Sequence, residues 1–471
     1  MELKVHDLRA PLDPETAFVS LFGKSEHAFW LDSSSTGERG RFSFMGDAGG
    51  PLAEVLLHKA GEGEPLLGRL QQRLDELRPA EIPDLPFEFD CGFVGYLGYE
   101  MKAECGFNSP HRSEHPDAAF LFSDRVIAFD HKESCTYLLC LHEPGEEDAA
   151  DVWISEVERR LLGKPGEGRR TRPAVVRRPS PGFPSPGQYL ESVETCLERL
   201  LDGESYEICL TNQLQIELEV DPLDLYLRLR EVNPAPFASY LRFGEVAVLS
   251  SSPERFLRVN SDGKAEARPI KGTSRRGETP EEDARLAAAL ASSEKNRAEN
   301  LMIVDLLRND LGAVCGVGSV AVPEMMAVES YETVHQLVSS VTGSLRADAS
   351  ALDCVRSCFP PGSMTGAPKK RTTEILDELE GSPRGVYSGA IGWLGLGGAL
   401  DLSVAIRTIV LAGGRATIGA GGAIVLGSDP AAEYEEMLLK AAAALRAIDP
   451  DLDPASISLA LQSAAASALP R

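Results

Sequence analysis

The stretch Glu299-Asn300-Leu301-Met302-Ile303-Val304-Asp305-Leu306-Leu307-Arg308-Asn309-Asp310 carries acids within an otherwise apolar helical pattern. Apolar side chains at helical spacing predict a helix packed into a core. A carboxylate taken into such a core is costly unless a cation, a hydrogen bond or a metal satisfies it. Any fold of this chain must therefore bring partners to these acids from elsewhere. The helical pattern runs from Glu281 to Leu311, with Glu299 read as the acid that opens one helix.

Around it, strand-like runs such as Val126–Phe129, Tyr137–Cys140, Glu207–Leu210, Val246–Leu249, Ala390–Trp393 and Ser403–Ile406 alternate with turns and with helical spacing at Tyr189–Leu201 and from Pro430 to Ile448. Between about 160 and 187, Pro, Gly and Arg accumulate without periodicity, which predicts a flexible connector. The chain thus divides into 1–160, a connector at 161–187, a second region at 188–448 and an Ala/Ser-rich tail at 449–471. No run approaches the ~18 apolar residues of a membrane span, and Met1-Glu2-Leu3-Lys4 lacks a signal-peptide pattern. Nine cysteines without Cys-x-x-Cys pairs predict reduced thiols, so a cytoplasmic protein is expected. The net charge of −25 argues against a nucleic-acid partner. It also requires that a site for any anion carry its own cations or a metal.

Several segments hold candidate chemistry. Pro269-Ile270-Lys271-Gly272-Thr273 sets a lysine in an apolar, glycine-flanked loop, where it reads either as a surface lysine or as a positioned amine. Glu299 with Glu433, Glu435 and Glu436 offers carboxylates without His or Cys, a donor set suited to Mg²⁺. Compensation of a helix N-terminus explains the 433–436 group equally. Gly419-Ala420-Gly421-Gly422 reads as a glycine-rich turn whose amides suit an anion, although it fits no nucleotide-loop spacing. Gly362–Lys369 leads into a helix and is either an anion-binding start or simply a well-capped one. Arg407 ends a strand, and Lys440 stands one turn beyond Glu436, as in a surface ion pair. His335 is set with the substrate-binding candidates, against the plainer reading of a core or capping histidine.

Together these segments resemble the chorismate-utilising enzymes. The matching stretches are Ser252–Phe256, Pro269–Gly277, Arg297–Gly312, Gly362–Arg371, Ala405–Thr408, Gly419–Val425 and Glu433–Lys440. The resemblance covers roughly 188 to 448, with a weaker match at Leu31–Ser33 and Arg41–Phe44. It implies an α/β (α+β) fold of two facing antiparallel sheets with helices packed outside and the site in the cleft between them. The connector then lies within one interwoven structure.

Within that family, lysine at 271 and the string Gly203–Gln213 are similar to aminodeoxychorismate synthases. Anthranilate synthases carry alanine at that place. Isochorismate and salicylate synthases use a water-activating lysine where this chain has Glu207. The resemblance implies Lys271 as covalent nucleophile and Glu254 as general acid, with Mg²⁺ on Glu299 and Glu436 and Glu433 as an outer partner. Substrate would be held by Gly272, Thr273, Thr365, Tyr387, Arg407, Gly421, Gly422 and Lys440. Lys271 must attack as the free amine; at an ordinary pKa of ~10.4 that costs about 4.6 kcal/mol at pH 7. Burial and neighbouring cations are expected to reduce this cost. Pro234-Ala235-Pro236 with Ser33 resembles the family's amino-acid effector segment. Without a Gly-x-Cys-x-Gly turn, the chain is expected to need free ammonia or a separate glutamine amidotransferase subunit, paired with it as a heterodimer.

Overall fold

The computed structural model describes residues 1–33, 40–163, the backbone of 175–180, 186–331 and 334–449. Beyond Asp449 the expected tail lies outside the described residues, as does most of the connector.

Among the described residues the strands form two sheets, of twelve and ten strands, and every recorded pairing is antiparallel. Both sheets take strands from both sides of the connector. In the larger one, His27–Asp32 pairs with Phe237–Phe243. In the smaller, Gly92–Leu97 pairs with Ala390–Gly395. Within the connector itself, Val175–Ser180 is a strand on Glu207–Glu219, which corrects the expectation of an unstructured link. Backbone pairing here supplies the order that the side-chain pattern does not encode.

Strand periodicity explains the layering. Successive side chains face opposite ways, so Val248 enters the core between the sheets while its neighbour Leu249 enters the core under the helices. The inter-sheet core takes Phe29 and Phe44 from one sheet and Phe93, Tyr96 and Trp393 from the other. On the larger sheet's far face, helices Pro14–Leu21, Pro186–Leu201, Pro222–Val232 and Pro430–Ile448 bury their apolar stripes. With both faces covered, its central strands read as continuous apolar runs despite being antiparallel.

Four local expectations are corrected. The helix read from Glu281 to Leu311 is two, Pro280–Ser292 and Glu294–Gly312, because Ser293 leaves helical geometry and caps the second by accepting from the Asn296 amide. Glu299 consequently lies inside a helix and does not open one. The glycine run is no turn: Gly419–Gly422 belong to the strand Arg415–Ile424, paired with Glu207–Glu219. Lys271 sits on a strand, Ile270–Arg275, whose register slips between Ile270 and Thr273, where Gly272 takes φ +91°. Finally, Leu400–Val404 ends before Arg407, which bends the chain with φ +52° toward Thr408–Ala412.

On Glu294–Gly312 the buried acid Asp310 and the buried amide Asn300 find partners on other elements. Asp310 accepts from Lys369 Nζ at 2.6 Å, and Asn300 Oδ1 from Ser339 Oγ at 2.5 Å. Asp305 stays exposed beside Arg308. Only Glu299 keeps a buried oxygen, Oε1, without a hydrogen-bond partner. It faces the cavity described next.

Candidate active site

Where the edge of the smaller sheet meets the larger one, a cavity of about 1190 Å³ opens. The helix Glu294–Gly312 contributes Lys295, Asn296 and Glu299 to its wall, and Pro430–Ile448 contributes Glu436 and Lys440. The strand at 270–275 brings Lys271, Gly272 and Thr273, and the segment after Val246–Ser252 brings Glu254. Tyr387, Arg407, Gly421 and Gly422 line it as well.

Lys271 is buried, and its Nζ donates to Glu207 Oε1 at 2.5 Å, its sole hydrogen bond among the described residues. Burial works to lower its pKa, but Glu207 and Glu299 outweigh it and hold the amine well above its ordinary value. The expected easing by burial and cations is thus reversed: carboxylates, not cations, surround the ammonium. Glu254 is buried too, and burial pushes it up to about 7, against the pull of Ser363 and Lys271. Burial likewise pushes Glu299 up to about 7, with Lys271 opposing. For Glu436 burial acts upward, yet Lys440 at 2.8 Å and other cations bring the net value below ordinary.

Cations also meet the need created by the net charge. The Arg407 guanidinium has no hydrogen bond or ion pair among the described residues, and burial lowers its pKa, so it is a cation waiting for an anion. Lys440 is partly engaged, donating to the Gly421 carbonyl at 2.9 Å. Beyond Ile418 the glycine strand loses its second neighbour, so one backbone edge there is open. Glycine is required at 419, since a Cβ would lie 2.1 Å from the Tyr387 ring.

Several expected residues are placed elsewhere. His335 does not line the cavity; its ring nitrogens face Asp283 at 2.9 Å and Ser330 at 2.8 Å, making it the satisfied core histidine. Thr365 is fully buried and donates to the Pro361 and Gly362 carbonyls, while its neighbour Ser363 reaches the cavity and Glu254. Glu433 is held behind the wall by Lys295 at 2.8 Å and Ser428 at 2.6 Å. The effector group divides between two cavities. Pro234 and Ala235 line the main one, Ser33 a second of about 450 Å³, and Pro236 both. Sequence reading missed Ser363, Lys295 and Glu207's contact with Lys271; only Glu207 carried a signal, as an acid replacing an expected lysine.

Among the described residues no three His, Cys, Asp or Glu side chains gather as a metal cage. The orphaned Oε1 of Glu299 and the Glu436 carboxylate on the facing helix nevertheless suit a hard cation that keeps its waters. No helix is long and apolar enough to cross a membrane.

A cavity joining an unpaired guanidinium, a buried lysine and two carboxyls poised near neutrality defines a site for proton-coupled chemistry on a small anion. The chain belongs to the chorismate binding enzyme family, whose pattern spans residues 26–446. It is 49% identical over 455 residues to the aminodeoxychorismate synthase of Streptomyces griseus, covering 93% of this chain and 63% of that relative. It is 39% identical over 375 residues to aminodeoxychorismate synthase component 1 of Bacillus subtilis, covering 78% of each. Among solved structures, anthranilate synthase component I from Streptococcus pneumoniae TIGR4 superposes with TM-score 0.74 at 30% identity, over 87% of this chain and 93% of that one. The chain spans under two thirds of the length of its Streptomyces relative.

Proposed function

We propose that this chain aminates chorismate at C4, giving 4-amino-4-deoxychorismate through a covalent bond to Lys271. The observation that carries this reading is the Lys271 amine, buried at the wall of an anion-suited cavity beside Glu254. The greater identity to the two aminodeoxychorismate synthases than to the anthranilate synthase agrees with it.

In this reading the Lys271 nitrogen bonds to ring carbon C2 as the C4–O bond breaks. Glu254, carrying a proton near neutral pH, delivers it to the departing hydroxyl, which leaves as water. Ammonia then bonds to C4, passes its surplus proton to the Glu254 carboxylate, and the C2–N bond to Lys271 breaks. Arg407 holds a substrate carboxylate, and Tyr387, packed against Gly419, walls the ring.

Glu299 and Glu436 would hold Mg²⁺, with Glu433 behind them; the ion would neutralise a substrate carboxylate. Glu299→Gln is expected to weaken Mg²⁺ binding by at least about tenfold in titration calorimetry without substrate. Unchanged affinity would remove Glu299 from the metal site. Ammonia would come from a glutamine amidotransferase subunit, paired with this chain as a heterodimer. Nine unpaired cysteines fit a reducing, cytoplasmic setting.

The test is incubation with chorismate, Mg²⁺ and ammonium. The expected product becomes p-aminobenzoate only when a lyase is added. Anthranilate fluorescence appearing without lyase would replace this reading with anthranilate synthesis.

A further inference from the structure

We infer that Glu207 is the proton acceptor for Lys271, the group that converts the resting ammonium into the attacking amine. This rests on the proposed nucleophilic role of Lys271 and adds a residue to it.

The argument begins with the resting state. Nζ donates to Glu207 Oε1 at 2.5 Å and to no other group among the described residues. The acids around it hold the amine protonated, so its lone pair is not available for bond formation. A nucleophile in this pocket must first lose a proton, and a carboxylate already at hydrogen-bond distance is the nearest acceptor. Glu207 is fully buried at the first residue of its strand, and its Oε2 has no partner. Among the described residues Lys271 is therefore the only hydrogen-bond donor to this carboxylate, and a proton moved between them stays within the pair.

The groups close enough to act on Nζ come from four elements. They are Glu207 and Cys209 on one strand, Glu299 on its helix, Glu254 after its strand, and Glu436 on the last helix. Glu254 is assigned to the leaving hydroxyl, and Glu299 and Glu436 would hold the metal. Neither Glu299 nor Glu436 is within ion-pair distance of Lys271. Glu207 alone has both contact and no other task.

Substrate binding supplies the driving force. Excluding water from the cavity disfavours an ion pair relative to the neutral amine and acid that share the same proton. The balance closes. One proton passes from Nζ to Oε1, the freed lone pair forms the C2–N bond, and when that bond later breaks the departing amine recovers the proton from Glu207. No external acid or base is consumed.

The experiment compares the unaltered chain with Glu207→Gln and Glu207→Asp. Each is mixed with chorismate and Mg²⁺ without ammonia, quenched, and the Lys271 adduct is timed by intact-protein mass spectrometry between pH 5 and 7, below the range in which Glu254 loses its proton. Gln keeps the volume and an acceptor oxygen but cannot take a proton. Adduct formation in Glu207→Gln is expected to slow by roughly 10²-fold and to rise about tenfold per pH unit, because only amine freed by solvent reacts. Glu207→Asp is expected to keep the flatter profile of the unaltered chain at a reduced rate, which a purely structural role would not produce. An adduct forming in Glu207→Gln at the unaltered rate and with the same profile overturns the assignment while leaving Lys271 as nucleophile. A Glu207→Asp profile as steep as that of Glu207→Gln overturns it equally. Absence of any adduct in the unaltered chain overturns the nucleophile itself, and the Glu207 role with it.

Discussion

With chorismate, Mg²⁺ and ammonium supplied, Lys271→Ala is expected to form aminodeoxychorismate at least roughly 10³-fold more slowly than the unaltered chain, the scale of losing a covalent nucleophile. The same substitution has a structural cost that must be separated from the chemical one. It leaves Glu207 as a buried carboxylate with no donor, and breaking a buried ion pair from one side typically costs about 3–5 kcal/mol. Replacing both partners, as Lys271→Ala with Glu207→Gln, removes the stranded charge and is expected to recover most of that stability. Urea unfolding of the single and double variants measures this recovery. The product assay, run well below their unfolding midpoints, shows that activity does not return with it. Full aminodeoxychorismate output from a folded Lys271→Ala protein would end the covalent mechanism.

Glu254→Gln is the second large effect, and its two consequences run in opposite directions. As the proposed acid for the departing hydroxyl, Glu254 must be protonated, so removing it is expected to lower turnover by roughly 10²–10⁴-fold. The unaltered chain should lose kcat/KM as pH rises above about 7, where this carboxyl ionises, and the variant should lack that limb. Stability moves the other way. The folded carboxyl titrates near 7 against an ordinary 4.5, so between these values the folded protein binds a proton that the unfolded chain has released. Raising the pH through that window therefore weakens the fold, by roughly 3 kcal/mol in full. Gln carries no such cost. The variant should match the unaltered chain near pH 4.5 and exceed it at pH 8, which urea midpoints at the two pH values measure. Equal midpoints at both would show that Glu254 is not held protonated by burial.

These two residues mark what a linear reading captures. Lys271 and Glu254 stand in short local patterns, and so do Arg407, Glu299 and Glu436; the structure brings these five and Tyr387 to one cavity. Helix limits were legible where capping chemistry is explicit, as at Asp429 and Pro430 before the last helix. They were misread where one residue decides, as at Ser293. The glycine run was misread because glycine signals freedom in isolation. In the sheet it is demanded by close neighbours, Tyr387 at Gly419 and the Leu210 carbonyl at Gly421. His335 and Thr365 carry groups able to bind a ligand, but Asp283 and two main-chain carbonyls had already taken them.

The sequence by itself determined the family's pattern of segments and the kinds of side chain available for chemistry, and the two-sheet fold entered only as what that resemblance implies. Periodicity and short motifs report these because they depend on neighbours along the chain. Which groups meet was decided only in three dimensions. Glu207 and Lys271 lie 64 residues apart and on different sheets. Their contact depends on strand register and on how the sheets pack, and a shift of one residue in either strand would turn its side chain to the opposite face.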